Sequence, residues 1–178
     1  MADTSSVTCG DSFSSRRSLW LQSGGFYGIV FLERGGGFVK VLFVCHGNIC
    51  RSPMAEFILK DMLKKEGITS VEVDSVAVSR EELGNPIYPP AQRELNRHGV
   101  SFDRHSARQI TREDVDTSDY IYYMDGRNCS YLQRLFPGCK KFQPLLSHDV
   151  ADPWYTGDFT ATWNDLQEGC RRIMEELR

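Results

Sequence analysis

A nearly unbroken apolar run, Val39-Lys40-Val41-Leu42-Phe43-Val44, leads through a short loop into Ser52-Pro53. Such a run suits a strand buried on both faces, as in parallel sheets. Ser52-Pro53 reads as a helix N-cap and first helical position. Residues 53 to 66 then place Ala55, Ile58, Leu59, Met62 and Leu63 at helical spacing, and Gly67 supplies the stop. The alternation repeats downstream. Val71 to Val78 reads as a strand, Pro89 to His98 as a helix ended by Gly99, and Asp119 to Met124 as a strand with a helical stretch to Phe136. Lys140 to Pro144 reads as a short fourth strand. The last helix is the most regular, with Trp163, Leu166, Cys170, Ile173 and Leu177 stepping by 3, 4, 3 and 4. This order predicts an α/β fold, a three-layer sandwich with a four-stranded parallel sheet and helices on both faces. Ligands of such sheets bind at the carboxyl ends of the strands, where the loop after Val44 falls.

That loop, Cys45-His46-Gly47-Asn48-Ile49-Cys50-Arg51-Ser52, carries the candidate chemistry. A Cys with an Arg six positions on is weak evidence alone, since about 0.5 such pairs arise by chance in a chain of this make-up. The context is more demanding, because the pair spans a loop between a buried strand and a helix start. Successive backbone N–H groups there can converge on one point with the helix N-terminus behind them, which makes an anion cradle. Gly47 is expected to supply unusual dihedrals and Asn48 to tolerate a left-handed one. Arg51 adds a planar grip on phosphoryl oxygens. The same field favours thiolate at Cys45 and makes it a nucleophile, with the Ser52 hydroxyl in reach of the sulfur. A zinc site on Cys45, His46 and Cys50 is disfavoured, because structural zinc needs four ligands and no second cluster is visible.

Composition enters at the boundaries. Seven of the 15 glycines fall in residues 1 to 37, which divides the chain into a Gly/Ser-rich leader and one domain over 38 to 178. Ser15-Arg16-Arg17 resembles the start of a twin-arginine signal, but the continuous apolar stretch and cleavage site of an export signal are missing. The leader therefore reads as flexible or non-native. A net charge of −3 and pI near 5.8 argue against a general nucleic-acid binder, and no stretch is long and apolar enough for a membrane span. Six cysteines without a C-x-x-C pair do not make a disulfide scaffold.

Residues 41 to 55, VLFVCHGNICRSPMA, resemble the phosphate-binding loop of the low molecular weight protein tyrosine phosphatases. The resemblance extends through Asp74-Ser75, HSARQIT at 105 to 111, Tyr120 to Asp125 and Asp152-Pro153, and so covers about residues 39 to 178. It implies the phosphotyrosine protein phosphatase I-like fold, no cofactor, no metal, and a two-step displacement. Cys45 attacks phosphorus and gives a cysteinyl phosphate, which water then releases. Arg51 and the loop amides (His46, Gly47, Asn48, Ile49, Cys50, Ser52) hold the equatorial oxygens. Asp152 protonates the leaving oxygen and later acts as base; from its residue type alone it is a turn-starting Asp before Pro, with Asp149 and Asp158 as decoys. Ser75, His105 and Asp125 transfer as supporting residues. Ile49, Trp154 and Tyr155 transfer as walls for a flat phosphoaryl group. Cys50 reads either as a packing residue or as a guard that forms a reversible disulfide with oxidised Cys45, the role that the resemblance supports, while Cys129, Cys139 and Cys170 read as structural.

The implied substrates are phosphotyrosine proteins or small aryl phosphates, handled by a monomer in a reducing, cytoplasmic setting. Two departures bear on substrate choice: His46 stands where relatives are often apolar, and Arg80-Glu81-Glu82 stand where many place an aromatic residue. Acids there disfavour acidic phosphopeptides. A thiol-dependent arsenate reductase would need relay cysteines after the first helix, yet none lies between Cys50 and Cys129. An arginine phosphatase favours Thr at the position of Ile49. A module that only binds phosphate needs neither nucleophile nor acid.

Overall fold

The computed structural model describes residues 38–177. The leader expected at residues 1 to 37 lies outside the described residues, as do Cys9 and Arg178. Four parallel strands, β1 (Val39–Cys45), β2 (Val71–Ala77), β3 (Tyr120–Tyr123) and β4 (Phe142–Pro144), lie in the order β2-β1-β3-β4. Six helices connect and flank them: α1 (Arg51–Lys65), α2 (Pro89–Arg97), α3 (Arg112–Thr117), α4 (Gly126–Leu135), α5 (Pro153–Thr156) and α6 (Phe159–Glu176).

The apolar run supplies β1 because a central strand has no wet face. From Val41 to Cys45 every residue is buried, and alternate side chains enter different cores. Val41, Phe43 and Cys45 pack with α1 and α6 through Met54, Ile58, Leu166 and Ile173. Leu42 and Val44 pack on the other face with Ile121, Val115 and Leu132. Two cores on two faces make the expected three layers. The chain runs from β1 to β2 on one side and returns to β3 on the other, so the carboxyl end of β1 is the point where the direction of winding reverses. Cys45 stands there.

The start of α1 differs from the expectation. The helix begins at Arg51 with Cys50 as N-cap and no side-chain cap, so Ser52 is not the cap. Its hydroxyl is turned to Cys45 and Asn48 instead. Pro53 still falls in the first turn, where no N–H is needed. Gly67, at φ +69, ends the helix as expected, with the Ile68 N–H reaching the Leu63 carbonyl at 3.0 Å. The stripe of α6 is buried from Trp163 to Ile173, and Leu177 packs against it half-buried. The helix α3 has no counterpart in the periodicity reading, because Arg112-Glu113-Asp114-Val115-Asp116-Thr117 carries one apolar residue. Its signal is a capping box: the Thr111 hydroxyl accepts from the Asp114 amide while the Asp114 carboxylate accepts from the Thr111 amide.

Candidate active site

From Cys45 to Cys50 the loop turns between β1 and α1 with one left-handed residue. Asn48 has φ +58, the only positive φ outside glycine among the described residues. The left-handed residue is thus Asn48, whereas Gly47 is not in that region. A glycine fits at 47 for space, since a Cβ would lie 3.0 Å from the Glu82 side chain. The turn directs the Asn48 N–H to Cys45 Sγ at 3.3 Å, and Ser52 Oγ lies 3.1 Å from the same sulfur. With no side-chain cap and no acid in its first turn, α1 leaves its leading N–H groups for an anion held by the loop.

The Asn48 side chain is fully buried and holds the loop from behind. Its amide nitrogen donates to Ser52 Oγ at 3.0 Å and to Ser75 Oγ at 2.9 Å, and its Oδ1 accepts from the Arg108 amide at 3.1 Å. His105 Nε2 meets the Asn48 carbonyl oxygen at 2.8 Å. Ser75 and His105 therefore stand behind the loop, where they fix its shape.

Arg51 is 3% exposed and joins two carboxylates, Asp125 at 2.5 Å through one terminal nitrogen and Asp152 at 2.6 Å through the other. Each acid also caps a helix with its second oxygen. Asp125 accepts from the Asn128 amide at 2.7 Å to start α4, and Asp152 from the Trp154 amide at 3.1 Å to start α5. Burial alone would lower the Arg51 pKa, yet the negative charges of Cys45, Asp152 and Asp125 raise it above its ordinary value. Among the described residues, carboxylates hold two of its five N–H groups, which leaves the others for a ligand. The decoy acids point elsewhere: Asp149 accepts from the Gly126 amide and Asp158 caps α6.

A cavity of about 140 Å³ opens above the sulfur. Cys45, Gly47, Ile49, Cys50, Arg51 and Asp152 form its floor and sides, and His46, Glu81, Glu82, Trp154 and Tyr155 its rim. Trp154 and Tyr155 are exposed at 56% and 74%, so two aromatic faces meet solvent directly beside a charged base. The His46 ring turns away from the cradle, with Nε2 on Glu81 at 2.9 Å and its edge against Tyr131. Of two larger clefts, one is lined by His105 and one shares Trp154 with the cavity, and neither is lined by a cysteine. Cys50 is buried in the cavity wall, and burial first, then the charges of Cys45 and Asp152, push its thiol far above the ordinary range.

Two residues that the sequence reading gave no role hold this arrangement. Arg108 links Asp74 on β2 (2.6 Å) to Asp114 on α3 (2.8 Å), and its amide grips Asn48. Glu56 on α1, 5% exposed, accepts from Ser75 Oγ at 2.5 Å. Glu56 lies at helical distance from the loop on an inward face, which was a readable signal; Arg108 was marked only by lying within HSARQIT, one of the segments that carry the family resemblance.

A buried cysteine and arginine on an anion-cradling loop, at the carboxyl end of a parallel sheet, define a cysteine-dependent phosphatase. Residues 40–178 match the family model described as low molecular weight phosphotyrosine protein phosphatase. The low molecular weight protein-tyrosine-phosphatase YfkJ of Bacillus subtilis is 37% identical over 150 residues, covering 79% of this chain and 96% of its own. The crystal structure of YfkJ aligns with a TM-score of 0.76 over 80% of this chain and 96% of its own. The low molecular weight phosphotyrosine protein phosphatase of Pongo abelii is 40% identical, covering 77% of this chain and 94% of its own. The crystal structure of DARP, a drosophila arginine phosphatase, aligns at 32% identity with a TM-score of 0.73, over 79% of this chain and 98% of its own. The chain belongs to the low molecular weight phosphotyrosine protein phosphatase family.

Proposed function

We propose that the protein hydrolyses phosphotyrosine on proteins, and small aryl phosphates, with Cys45 as nucleophile, Arg51 as the holder of the transferring group and Asp152 as general acid and base. The observation that carries this reading is the 2.6 Å pairing of Arg51 with Asp152 in the cavity that Cys45 floors. One group binds the phosphoryl oxygens while its neighbour faces the place where a leaving oxygen emerges.

The Cys45 sulfur attacks phosphorus in line, forming an S–P bond as the P–O bond to the aryl group breaks. Negative charge on the equatorial oxygens is met by the loop amides and the free N–H groups of Arg51. The proton for the phenolate comes from Asp152, whose carboxyl the incoming phosphoryl group displaces from Arg51. Water then attacks the cysteinyl phosphate with Asp152 as base, and the sulfur leaves as thiolate while accepting from Asn48 N–H and Ser52. Ile49, Trp154 and Tyr155 suit a flat ring, and Ile49 offers no polar contact to a guanidinium. The Glu81 and Glu82 rim favours protein substrates with basic neighbours. A thiolate nucleophile needs the reducing conditions of the cytoplasm, and nothing in the proposed reaction requires more than a monomer.

The test compares wild type, Cys45→Ser and Asp152→Ala on aryl phosphates of graded leaving-group pKa. Cys45→Ser should lose at least about a thousandfold in kcat. Asp152→Ala should lose roughly a hundredfold or more on poor leaving groups and far less on good ones. Near-normal turnover by Cys45→Ser, or equal losses across the Asp152→Ala series, would sink the assignment.

A further inference from the structure

Besides Arg51, α1 turns one charged side chain into the interior, and the reaction as proposed does not use it. Glu56 is 5% exposed; Oε2 accepts from Ser75 Oγ and Oε1 from Lys60 Nζ, each at 2.5 Å. A carboxylate paired with an ammonium can only accept hydrogen bonds, so Ser75 must direct its single hydrogen at Glu56. The Ser75 oxygen is then an acceptor toward Asn48, and takes one N–H of its amide at 2.9 Å. Asn48 cannot flip, because its Oδ1 is held by the Arg108 amide at 3.1 Å. Its second N–H therefore goes to Ser52 Oγ at 3.0 Å.

Ser52 has one hydrogen and two acceptors in reach, Cys45 Sγ at 3.1 Å and the Val76 carbonyl oxygen at 3.3 Å. With its oxygen already receiving from Asn48, its hydrogen is free to follow charge. It turns to the sulfur when the sulfur is anionic, since charge-assisted hydrogen bonds are the stronger ones. We propose that Glu56 is a positioning residue: its carboxylate takes the Ser75 hydrogen and leaves the Ser75 oxygen to hold Asn48, which the Arg108 amide orients, so that the Ser52 hydrogen faces the Cys45 sulfur. The inference rests on the reading of Cys45 as nucleophile. Its largest effect falls where the S–P bond breaks and the sulfur regains negative charge.

Glu56→Gln is nearly isosteric but presents one N–H₂ edge. Lys60 donates to the carbonyl oxygen of the new amide, so the N–H₂ edge faces Ser75, leaves the Ser75 hydrogen without its acceptor and competes with Asn48 for the Ser75 oxygen. We expect kcat on aryl phosphates to fall roughly tenfold, as for outer-shell partners elsewhere, equally for good and poor leaving groups. Adding Lys60→Met lets the amide turn its oxygen to Ser75, and should restore most of that loss. A purely structural role for Glu56 predicts no such recovery. Should Glu56→Gln not fold, Ser75→Ala breaks the same chain one link on and should lose a similar factor. The proposal is overturned by folded Glu56→Gln with kcat within about twofold of wild type, by the absence of recovery with Lys60→Met, or by an unimpaired Ser75→Ala. Failure of the underlying reading would show separately, as turnover surviving in Cys45→Ser.

Discussion

Cys50 combines a position beside the proposed nucleophile with a thiol that resists ionisation. It lies in the same cavity wall as Cys45, five residues on, and burial followed by the charges of Cys45 and Asp152 raises its pKa. If peroxide oxidises Cys45 to a sulfenic acid, the guarding disulfide forms when Cys50 thiolate attacks that sulfur, making the S–S bond and expelling hydroxide. A thiol held in the neutral form makes this step slow at neutral pH and faster as pH rises. After a brief peroxide pulse, the fraction of enzyme recoverable by thiol should be greater at about pH 9 than at about pH 6. Cys50→Ser should abolish that difference. Equal recovery at both values, read from intact mass and restored activity, would remove Cys50 from the guarding role. The loop residues were legible because their chemistry is tied to local spacing: Cys45, Arg51 and the strand-to-helix setting lie within a dozen positions. Asp152 was legible only through family resemblance, as no spacing rule links it to a loop 101 residues earlier.

At the scale of elements, the site depends on a stretch that forms no long helix or strand. Residues 105 to 111 run beside the end of β2, with a parallel bridge between Ala77 and Gln109 and the Ile110 amide on the Ala77 carbonyl at 2.9 Å. Arg108 fastens this stretch by pairing with Asp114 and Asp74, contacts that raise its own pKa. Burial would raise the Asp114 pKa, but the bonds from Arg108 and Thr111 outweigh it and hold the carboxyl below its ordinary value. The unfolded chain therefore takes up that proton first. The stabilisation is complete above about pH 4 and is lost as pH falls below it. Arg108→Met should cost about 1–2 kcal/mol at neutral pH, the lower end because Arg108 is partly solvated. As pH falls through the depressed folded-state pKa of Asp114 the variant and wild type should converge, which denaturant titrations at neutral and successively lower pH would measure. A constant difference across that range would mean the ion pairs contribute nothing. Periodicity missed α3 and this stretch for one physical reason: each buries only one or two apolar side chains, Val115 in α3 and Ala107 and Ile110 in the stretch, too few to write a repeat. The strands and α6 were legible because burial wrote their pattern directly, Val41 to Val44 on two faces and Trp163 to Ile173 on one.

The whole molecule places its charge economically around one central strand. β1 is paired on both sides, from Val39 against Val71 to Cys45 against Ala77, and its first residue is also tied by the Val39 amide to the Ser70 carbonyl at 2.9 Å. Everything the proposed reaction uses lies from this strand onward, between Cys45 and Tyr155, and the family match itself begins at residue 40. Residues 1 to 37 carry three acids and three arginines, so their removal leaves the net charge of −3 unchanged. Their removal therefore leaves the net charge that a phosphorylated substrate meets at long range as it was. We propose that residues 38 to 178 are the complete catalytic unit. A chain beginning at Phe38 should keep kcat and KM on aryl phosphates within about twofold of the full chain, with the same dependence on salt. Loss of kcat in a truncated chain of unchanged thermal stability would show that the first 37 residues act on the site, and the division at residue 38 would have to be abandoned. A fall in stability with kcat retained in the folded fraction would instead assign them to packing.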